Sequence, residues 1–389
     1  MTVLHLFDLY LPHTMNWAWR TMQAIPDTEQ WVASPWILDN EYHSPQFRFF
    51  RRPLQQIAGL FPKHEQQAAW FSTNLIRAER HWPLYKNWLF KQLKNRRPDV
   101  LHAHFGSVGC HFLDLAQRLN IPLVCSFYGY DYTRIPFEKT VYRTRYRQLF
   151  EGASAITTTG ALTPILLIDQ GCPRSKIIPI PLSISPGQFP FFDRKKIQGQ
   201  LRLVQIATFT HKKGHMDTLA AFKIALRSCP QAQLTFAGER QDKTVFREIQ
   251  KYIKINDLEQ NVRVRDFVEH HQLSQFLQQF DVFIHPSRTT ENRDCEGAPA
   301  VILEAMSTGL PTIATDHSDI PEQVQHGRTG LLAPEYDPAR LATFIERFYQ
   351  MDNPEYQQMS RAARTRVEQY FDVNKTAHKL RALYQKACC

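Results

Sequence analysis

Short apolar runs alternate with longer amphipathic segments along the first half of the chain. Val3–Leu6 reads as a strand, and Val100–His104 as another that ends in the turn Phe105-Gly106-Ser107. Leu113, Leu115 and Leu119, with polar residues between them, fit a helix after that turn. Pro122–Phe127 reads as a strand stopping at Gly129, and Ala155–Thr158 and Ile177–Ile180 read as further strands. Strands of this length separated by helical stretches predict a parallel sheet covered on both faces.

Residues 181–200 break the rhythm. Pro181, Pro186, Gly187 and Pro190 crowd this stretch, and it reads as a linker. The pattern then restarts. Strands are expected at Leu203–Ala207, Gln233–Ala237, Val262–Val264, Val282–His285, Pro311–Ala314 and Leu331–Ala333. Helices are expected after Gly214, over Ala298–Thr308, from Pro338 on, and over Lys375–Lys386. The reading is two doubly wound, Rossmann-like α/β domains, 1–185 and 186–372, with a last helix over 373–389 packing back on the first. Ligands of such sheets bind beyond the carboxyl ends of the strands, so a cleft between the domains is the expected site. Neither first strand is followed by GxGxxG, which disfavours a dinucleotide dehydrogenase.

Composition adds a charge question. A length of 389 residues suits two domains, and 43% hydrophobic with 22% charged residues argues against disorder. The net charge is +10, and residues 41–100 hold 11 Lys and Arg against 4 Asp and Glu. There Arg48, Arg51, Arg52, Arg77, Arg80, Lys86, Lys91, Lys94, Arg96 and Arg97 interleave with Phe47, Phe49, Phe50, Trp70, Phe71, Trp82, Tyr85 and Trp88. Such a mixture suits an anionic membrane surface or a single-stranded nucleic acid, or is a solvated face. The seven cysteines include no CxxC pair, so a zinc site and a disulfide framework are not expected. No stretch suits a membrane span, and a cytoplasmic or peripheral protein at the inner face of the membrane is expected.

The segment Glu296-Gly297-Ala298-Pro299-Ala300-Val301-Ile302-Leu303-Glu304 carries the most specific chemistry. Two carboxylates eight residues apart would share roughly one face if the whole stretch were helical. Gly297 would let a ligand approach the N–H groups of the first turn, where the helix dipole favours a diphosphate. The alternative is an amphipathic helix with an N-terminal Glu and one solvated Glu.

From Glu296 to Pro334 the sequence resembles the C-terminal signature of the family-four retaining glycosyltransferases of the GT-B fold, bacterial exopolysaccharide and colanic-acid types in particular. HAHFG at 102–106, GCPRSKIIPIPL at 171–182, FTHKKGH at 209–215, LTFAGE at 234–239 and DVFIHPS at 281–287 extend the resemblance. It implies a nucleotide-sugar donor, UDP- or GDP-linked, and a glycan or lipid-linked acceptor. It implies that Glu304 holds the ribose, that Glu296 contacts the donor sugar, and that Gly297, Ala298, Pro299 and Ala300 offer amides to the distal phosphate and sugar. Lys213 would neutralise the leaving diphosphate. Gly238 and Glu239 would border the nucleotide, and Phe267 and Val268 would face the base. Tyr128 and Asp131 would stand at the acceptor side, the aspartate binding acceptor or capping the next helix.

Three departures from the family pattern stand out. Thr208 replaces the arginine usual five residues before the lysine, leaving Lys212, His211 or a backbone nest to compensate. Tyr128 replaces the usual histidine, and a phenol does not titrate near neutrality. Leu11-Pro12-His13-Thr14 stands where a Gly-rich loop is usual. No cofactor and no metal are expected: Asp-x-Asp is absent, and His211 and His215 read as loop histidines rather than a zinc pair. The expected activity is retaining, metal-independent sugar transfer in cell-surface polysaccharide biosynthesis. The alternatives are a nucleotide-sugar epimerase of the same fold and a non-catalytic basic module. Nucleic acid is not an expected partner, because no recognised motif for it occurs.

Overall fold

The computed structural model describes residues 1–10, 15–37, 42–51, 82–160 and 163–389. It divides into two compact units, Met1–Pro181 with Val373–Cys389, and Leu182–Asp372.

The first unit is built on a seven-stranded parallel sheet. In chain order its strands are β1 (Thr2–Leu6), β3 (Glu29–Ala33), β5 (Arg48–Phe50), β6 (Val100–His104), β7 (Leu123–Phe127), β8 (Ala155–Thr158) and β9 (Ile177–Pro179). Their spatial order is β5-β3-β1-β6-β7-β8-β9. A separate pair joins β2 (Leu9–Tyr10) to β4 (Trp36–Ile37). The sheet is buried on both faces because alternate residues of each strand serve different layers. Helix α1 (Asn16–Ala24) lies between β2 and β3 in the chain, and Leu4, Leu6, Leu101, Ala103, Leu123, Cys125 and Phe127 form one layer with helices α2 (Trp82–Leu93), α3 (Gly106–Leu119) and α4 (Val141–Gly152).

The second unit holds six parallel strands, β10 (Leu201–Ile206), β11 (Ala232–Ala237), β12 (Val262–Arg265), β13 (Val282–His285), β14 (Thr312–Thr315) and β15 (Gly330–Ala333). Their order is β12-β11-β10-β13-β14-β15. Helices α5 (His215–Ala225), α6 (Lys243–Ile255), α7 (His270–Leu277), α8 (Ala300–Ser307), α9 (Pro338–Gln350) and α10 (Asn353–Tyr370) cover it. The last helix, α11 (Val373–Cys388), belongs to the first unit. Ala377, Leu380, Leu383 and Tyr384 pack on Val3, Val100, Val124 and Ala155, the opposite sheet face.

Several expectations need correction. The stretch 182–200 is no linker but an embedded part of the second unit. Phe189 is buried there, and the Arg194 guanidinium donates to the carbonyls of Phe280 (3.2 Å), Leu277 (3.1 Å) and Thr308. Its prolines leave room for only one turn of 3-10 helix, Pro186–Gln188, and side chains anchor the rest. The strands at 29–33 and 48–50 and helix α2 lie where charge and aromatic content obscured the period. In the basic segment 41–100, Arg52, Trp70, Phe71, Arg77 and Arg80 lie outside the described residues. Of the aromatics described, Phe47, Phe50, Trp82 and Tyr85 are buried, so packing accounts for part of the interleaving. Lys86 pairs with Asp114 (2.7 Å), and the Arg48 guanidinium lies over Trp31. Among the described residues no helix is long and apolar enough to cross a membrane.

Candidate active site

In the second unit the carboxyl ends of β10, β11 and β13 gather the residues singled out by their spacing. After β10 the chain passes Thr208 and makes one turn of 3-10 helix, His211–Lys213. Gly214 ends this turn at φ 66°, in the left-handed region. A Cβ there would stand 1.9 Å from the Pro286 carbonyl oxygen. Glycine thus lets the turn lie against the end of β13. Gly214→Ala meets both costs, and we expect it to destabilise the protein by about 2–3 kcal/mol in denaturant unfolding. An unchanged midpoint would refute this. Gly238 has the same function after β11, where a Cβ would fall 1.8 Å from the Ala207 carbonyl. The neighbouring Glu239 carbonyl accepts from Phe209 N–H at 2.9 Å.

The close approach brings Lys213 onto Glu296. The two side chains form a mostly buried ion pair. Gln205 donates to the Lys213 carbonyl (2.7 Å) and accepts from the Thr218 hydroxyl (2.7 Å), which fixes the turn from below. The other Glu296 oxygen accepts from His285 Nε2 (3.0 Å) and Ser287 Oγ (2.6 Å). Burial pushes the Glu296 carboxyl up, but the Lys213 charge and the His285 bond outweigh it and hold the pKa well below the usual range. Burial pushes the Lys213 ammonium down, opposed by Glu296.

A second chain holds the backbone of this loop. Glu296 N–H donates to His317 Nε2 (3.1 Å), so His317 carries its proton on Nδ1 and donates to Glu335 (2.6 Å). His285, Ser287, His317 and Glu335 were not found from the sequence. The quoted DVFIHPS run contained the first two, but nothing local ties His317 to position 296.

The helical rotation expected for the two glutamates does not apply. Helix α8 begins at Ala300 with Pro299 as its N-cap, so Glu296 lies on the loop before it. Gly297, Ala298 and Pro299 are buried in that loop, and Ala300 is partly exposed. Glu304, inside the helix, meets His270 Nε2 at 3.3 Å. Thr208 is partly exposed, Phe267 is exposed, and Val268 packs beside the core. Lys212 is paired with Asp294 (3.1 Å), and Arg288 joins the same turn by donating to the His211 carbonyl (3.2 Å) and to Asp217. This second cation was not foreseen. His215 is not a loop histidine: it opens α5, buried against Phe209 and Phe236.

In the first unit Asp131 is fully buried, and its carboxylate accepts from the N–H groups of Gly106 (3.0 Å), Tyr128 (3.0 Å) and Gly129 (2.9 Å). It therefore joins the start of α3 to the turn after β7. Tyr128 follows β7 and bonds His104 Nδ1 at 2.8 Å. His5, His102 and His104 form a buried cluster that the sequence reading missed, with ligating atoms within 4.8 Å of one another. Each of their ring nitrogens has a hydrogen-bond partner. Residues 11–14, at the position of the usual Gly-rich loop, lie outside the described residues.

Comparison with known proteins identifies the family. Residues 189–366 match the family described as glycosyl transferases group 1, and residues 41–183 match the glycosyl transferase 4-like domain. The amylovoran biosynthesis glycosyltransferase AmsK of Erwinia amylovora is 30% identical over 287 residues, covering 72% of this chain and 68% of that protein. An Escherichia coli protein named for colanic acid biosynthesis, the glycosyltransferase WcaL, is 29% identical over 74% of this chain and 71% of its own length. Anabaena HepE, solved with UDP and glucose, superposes with a TM-score of 0.76 over 99% of this chain and 100% of that one, at 16% identity. Sucrose-phosphate synthase from Thermosynechococcus elongatus gives 0.76 at 18% identity, over 99% of each chain. With two parallel-sheet units and these matches across its length, the chain belongs to the group 1 glycosyltransferases and has the GT-B fold.

Proposed function

We propose that the chain transfers a hexose, with retention of configuration and without a metal ion, from a UDP- or GDP-linked donor to a glycan or lipid-linked acceptor of a cell-surface polysaccharide. The observation carrying this reading is the buried Lys213–Glu296 pair at the strand ends. A diphosphate leaving group gains negative charge as the glycosidic bond breaks, and a fixed cation lowers that barrier most in a site shielded from water. Glu296, ionised and held from both sides by His285, Ser287 and the His317 chain, is placed to accept hydrogen bonds from donor-sugar hydroxyls. Glu304 takes the ribose. HepE was solved with UDP-glucose, which supports a nucleotide-sugar donor. The names of AmsK and WcaL support an extracellular polysaccharide as the product. On this reading the protein works in the cytoplasm, with the basic first unit drawn to an anionic membrane surface.

A thermal-shift panel of UDP-glucose, UDP-galactose and GDP-mannose tests the donor, since a ligand at 100 times its dissociation constant stabilises by about 2.7 kcal/mol. Turnover unchanged by EDTA and an NMR spectrum of the product anomer test the other two terms. We expect Glu304→Ala to weaken donor binding about 10- to 100-fold, the size of a lost hydrogen bond to a charged group. Equal affinity in isothermal titration would remove Glu304 from the site.

A further inference from the structure

Three loops follow the neighbouring strands β13, β14 and β15, and one carboxylate ties them together. Glu335 lies just past β15, at the carboxyl edge of the second sheet. Its Oε2 accepts from the Thr289 N–H at 2.7 Å, in the loop after β13. Its Oε1 meets His317 Nδ1 at 2.6 Å, in the loop after β14, and accepts from the Thr289 hydroxyl at 3.3 Å. Directions are fixed at both ends. The backbone N–H of Glu296 can only donate, so His317 Nε2, which it meets at 3.1 Å, is a bare lone pair. A neutral His317 then has its proton on Nδ1 and donates it to Glu335. Both Glu335 oxygens are therefore acceptors, a demand that a carboxylate meets and an amide does not. An amide has one accepting oxygen and must set its NH2 against the Thr289 N–H or against His317 Nδ1–H. Burial pushes the Glu335 pKa up, but the bonds from His317 and Thr289 outweigh it and hold the pKa below its usual value.

The next residue completes a clamp. Tyr336 has φ 59°, a left-handed conformation uncommon for a bulky residue, and its hydroxyl donates to the Thr289 carbonyl. Glu335 and Tyr336 thus hold the N–H and the C=O of one residue. Arg288, just before it, spans the turn that carries Lys213. Its N–H donates to the Lys212 carbonyl at 2.9 Å, and its guanidinium to the His211 carbonyl at 3.2 Å and to Asp217 at 3.0 Å. The same guanidinium lies over the Tyr336 ring, 5.0 Å from its centroid. Glu335 therefore reaches the Lys213 turn through Thr289 and Arg288, and the Glu296 backbone through His317.

We propose that Glu335 is a positioning residue for sugar transfer, one carboxylate that sets the Lys213 turn and the Glu296 backbone in register with each other. The proposal rests on the transferase reading above. Lys213 and Glu296 lie 83 residues apart in sequence, and each is held by its own branch from Glu335. Loss of either branch leaves the ion pair formed but displaced. That costs rate where charge develops, rather than donor affinity.

The test has two arms. Full-length protein labelled with 15N-histidine and 15N-threonine is examined by NMR at pH 7, with His317 assigned by His317→Gln and Thr289 by Thr289→Ser. We expect His317 as the neutral Nδ1–H tautomer. A proton on Nε2 or a cationic ring would overturn the proposal, and this measurement needs no change at Glu335. In Glu335→Gln either His317 changes tautomer or the Thr289 amide signal shifts, and both signals unmoved would refute it too. The second arm measures hydrolysis of a nucleotide sugar from the panel, with water as the acceptor. Glu335→Gln should lower kcat about 10- to 100-fold, with KM changed by less than about threefold. Glu335→Asp keeps two accepting oxygens and should be the faster of the two. A packing role predicts the reverse order, since Gln has the shape of Glu. On the Lys213→Met background Glu335→Gln should cost less than about threefold more, because half of the pair it aligns is already gone. The reverse order, or the full cost in both backgrounds, would overturn the proposal. A chain that hydrolyses none of the panel counts against the transferase reading instead, and the NMR arm still decides whether Glu335 fixes His317.

Discussion

Lys213→Met lowers kcat by about 10²- to 10³-fold, measured as nucleotide release at saturating donor. The magnitude is that of removing one preorganised electrostatic contact to developing charge. Met keeps the apolar stem and removes only the ammonium. The variant also leaves the Glu296 carboxylate buried without its cation, with only the His285 and Ser287 bonds beside it. Its pKa therefore rises, because burial is then the dominant influence on that carboxyl. Two readouts follow. The kcat should fall at every pH, and a new acid limb should appear as Glu296 takes up a proton nearer neutrality. Lys213→Arg should recover only part of the rate, since a planar guanidinium is not interchangeable with the compact ammonium that now meets Glu296. A kcat within threefold of the wild type in Lys213→Met would place the leaving-group cation elsewhere, with Arg288 on the same turn as the first alternative.

Acidification below pH 6.5 is expected to destabilise the first unit by several kcal/mol well before ordinary carboxylates titrate. His5, His102 and His104 are buried and held neutral, with His5 titrating near 4 and the other two well below their usual pKa. In the unfolded chain all three titrate near 6.5. Between about pH 6.5 and 4 the unfolded state therefore binds up to three more protons, and stability falls as pH falls. Asp131 works against this, because burial raises its pKa to about 6 and the folded state gains a proton there; the upward shift of Asp8 acts in the same sense. Three protons against little more than one leave a net difference approaching two, or up to about 2.7 kcal/mol per pH unit around pH 5. Domain stabilities are about 5–15 kcal/mol, so this is a large fraction. Guanidinium unfolding at pH 7, 6 and 5 measures it. A midpoint independent of pH over that range would show that the histidines are charged or exposed in the folded protein.

Much of the architecture was legible because parallel strands buried on both faces are continuous apolar runs. Val100–His104, Ala155–Thr158 and Val282–His285 have the ends that the apolar runs set. The elements missed in the first unit fail for a physical reason. In helix α2 the core positions are Trp82, Tyr85, Leu89 and Leu93, with Lys86 at the edge of that face and Lys91 on the opposite one. A dense mixture of bases and aromatics reads as a surface until the partner layer is known. The Pro-rich stretch 182–200 misled similarly: prolines exclude helix and ladder but not burial, and Arg194 is held by carbonyls of residues far along the chain.

The sequence by itself determined the fold class, which depends on apolar period, and its motifs, by their resemblance to a known family, pointed to the glycosyltransferases and to Lys213, Glu296 and Glu304 as candidate positions. Tertiary structure decided what each charge meets. Only folding brings Lys213 and Gly214 against β13, joins His317 to the backbone of Glu296, and aligns His5 with His104 across neighbouring strands. These contacts span between about 20 and 100 residues, and no local period encodes a pairing that depends on strand order.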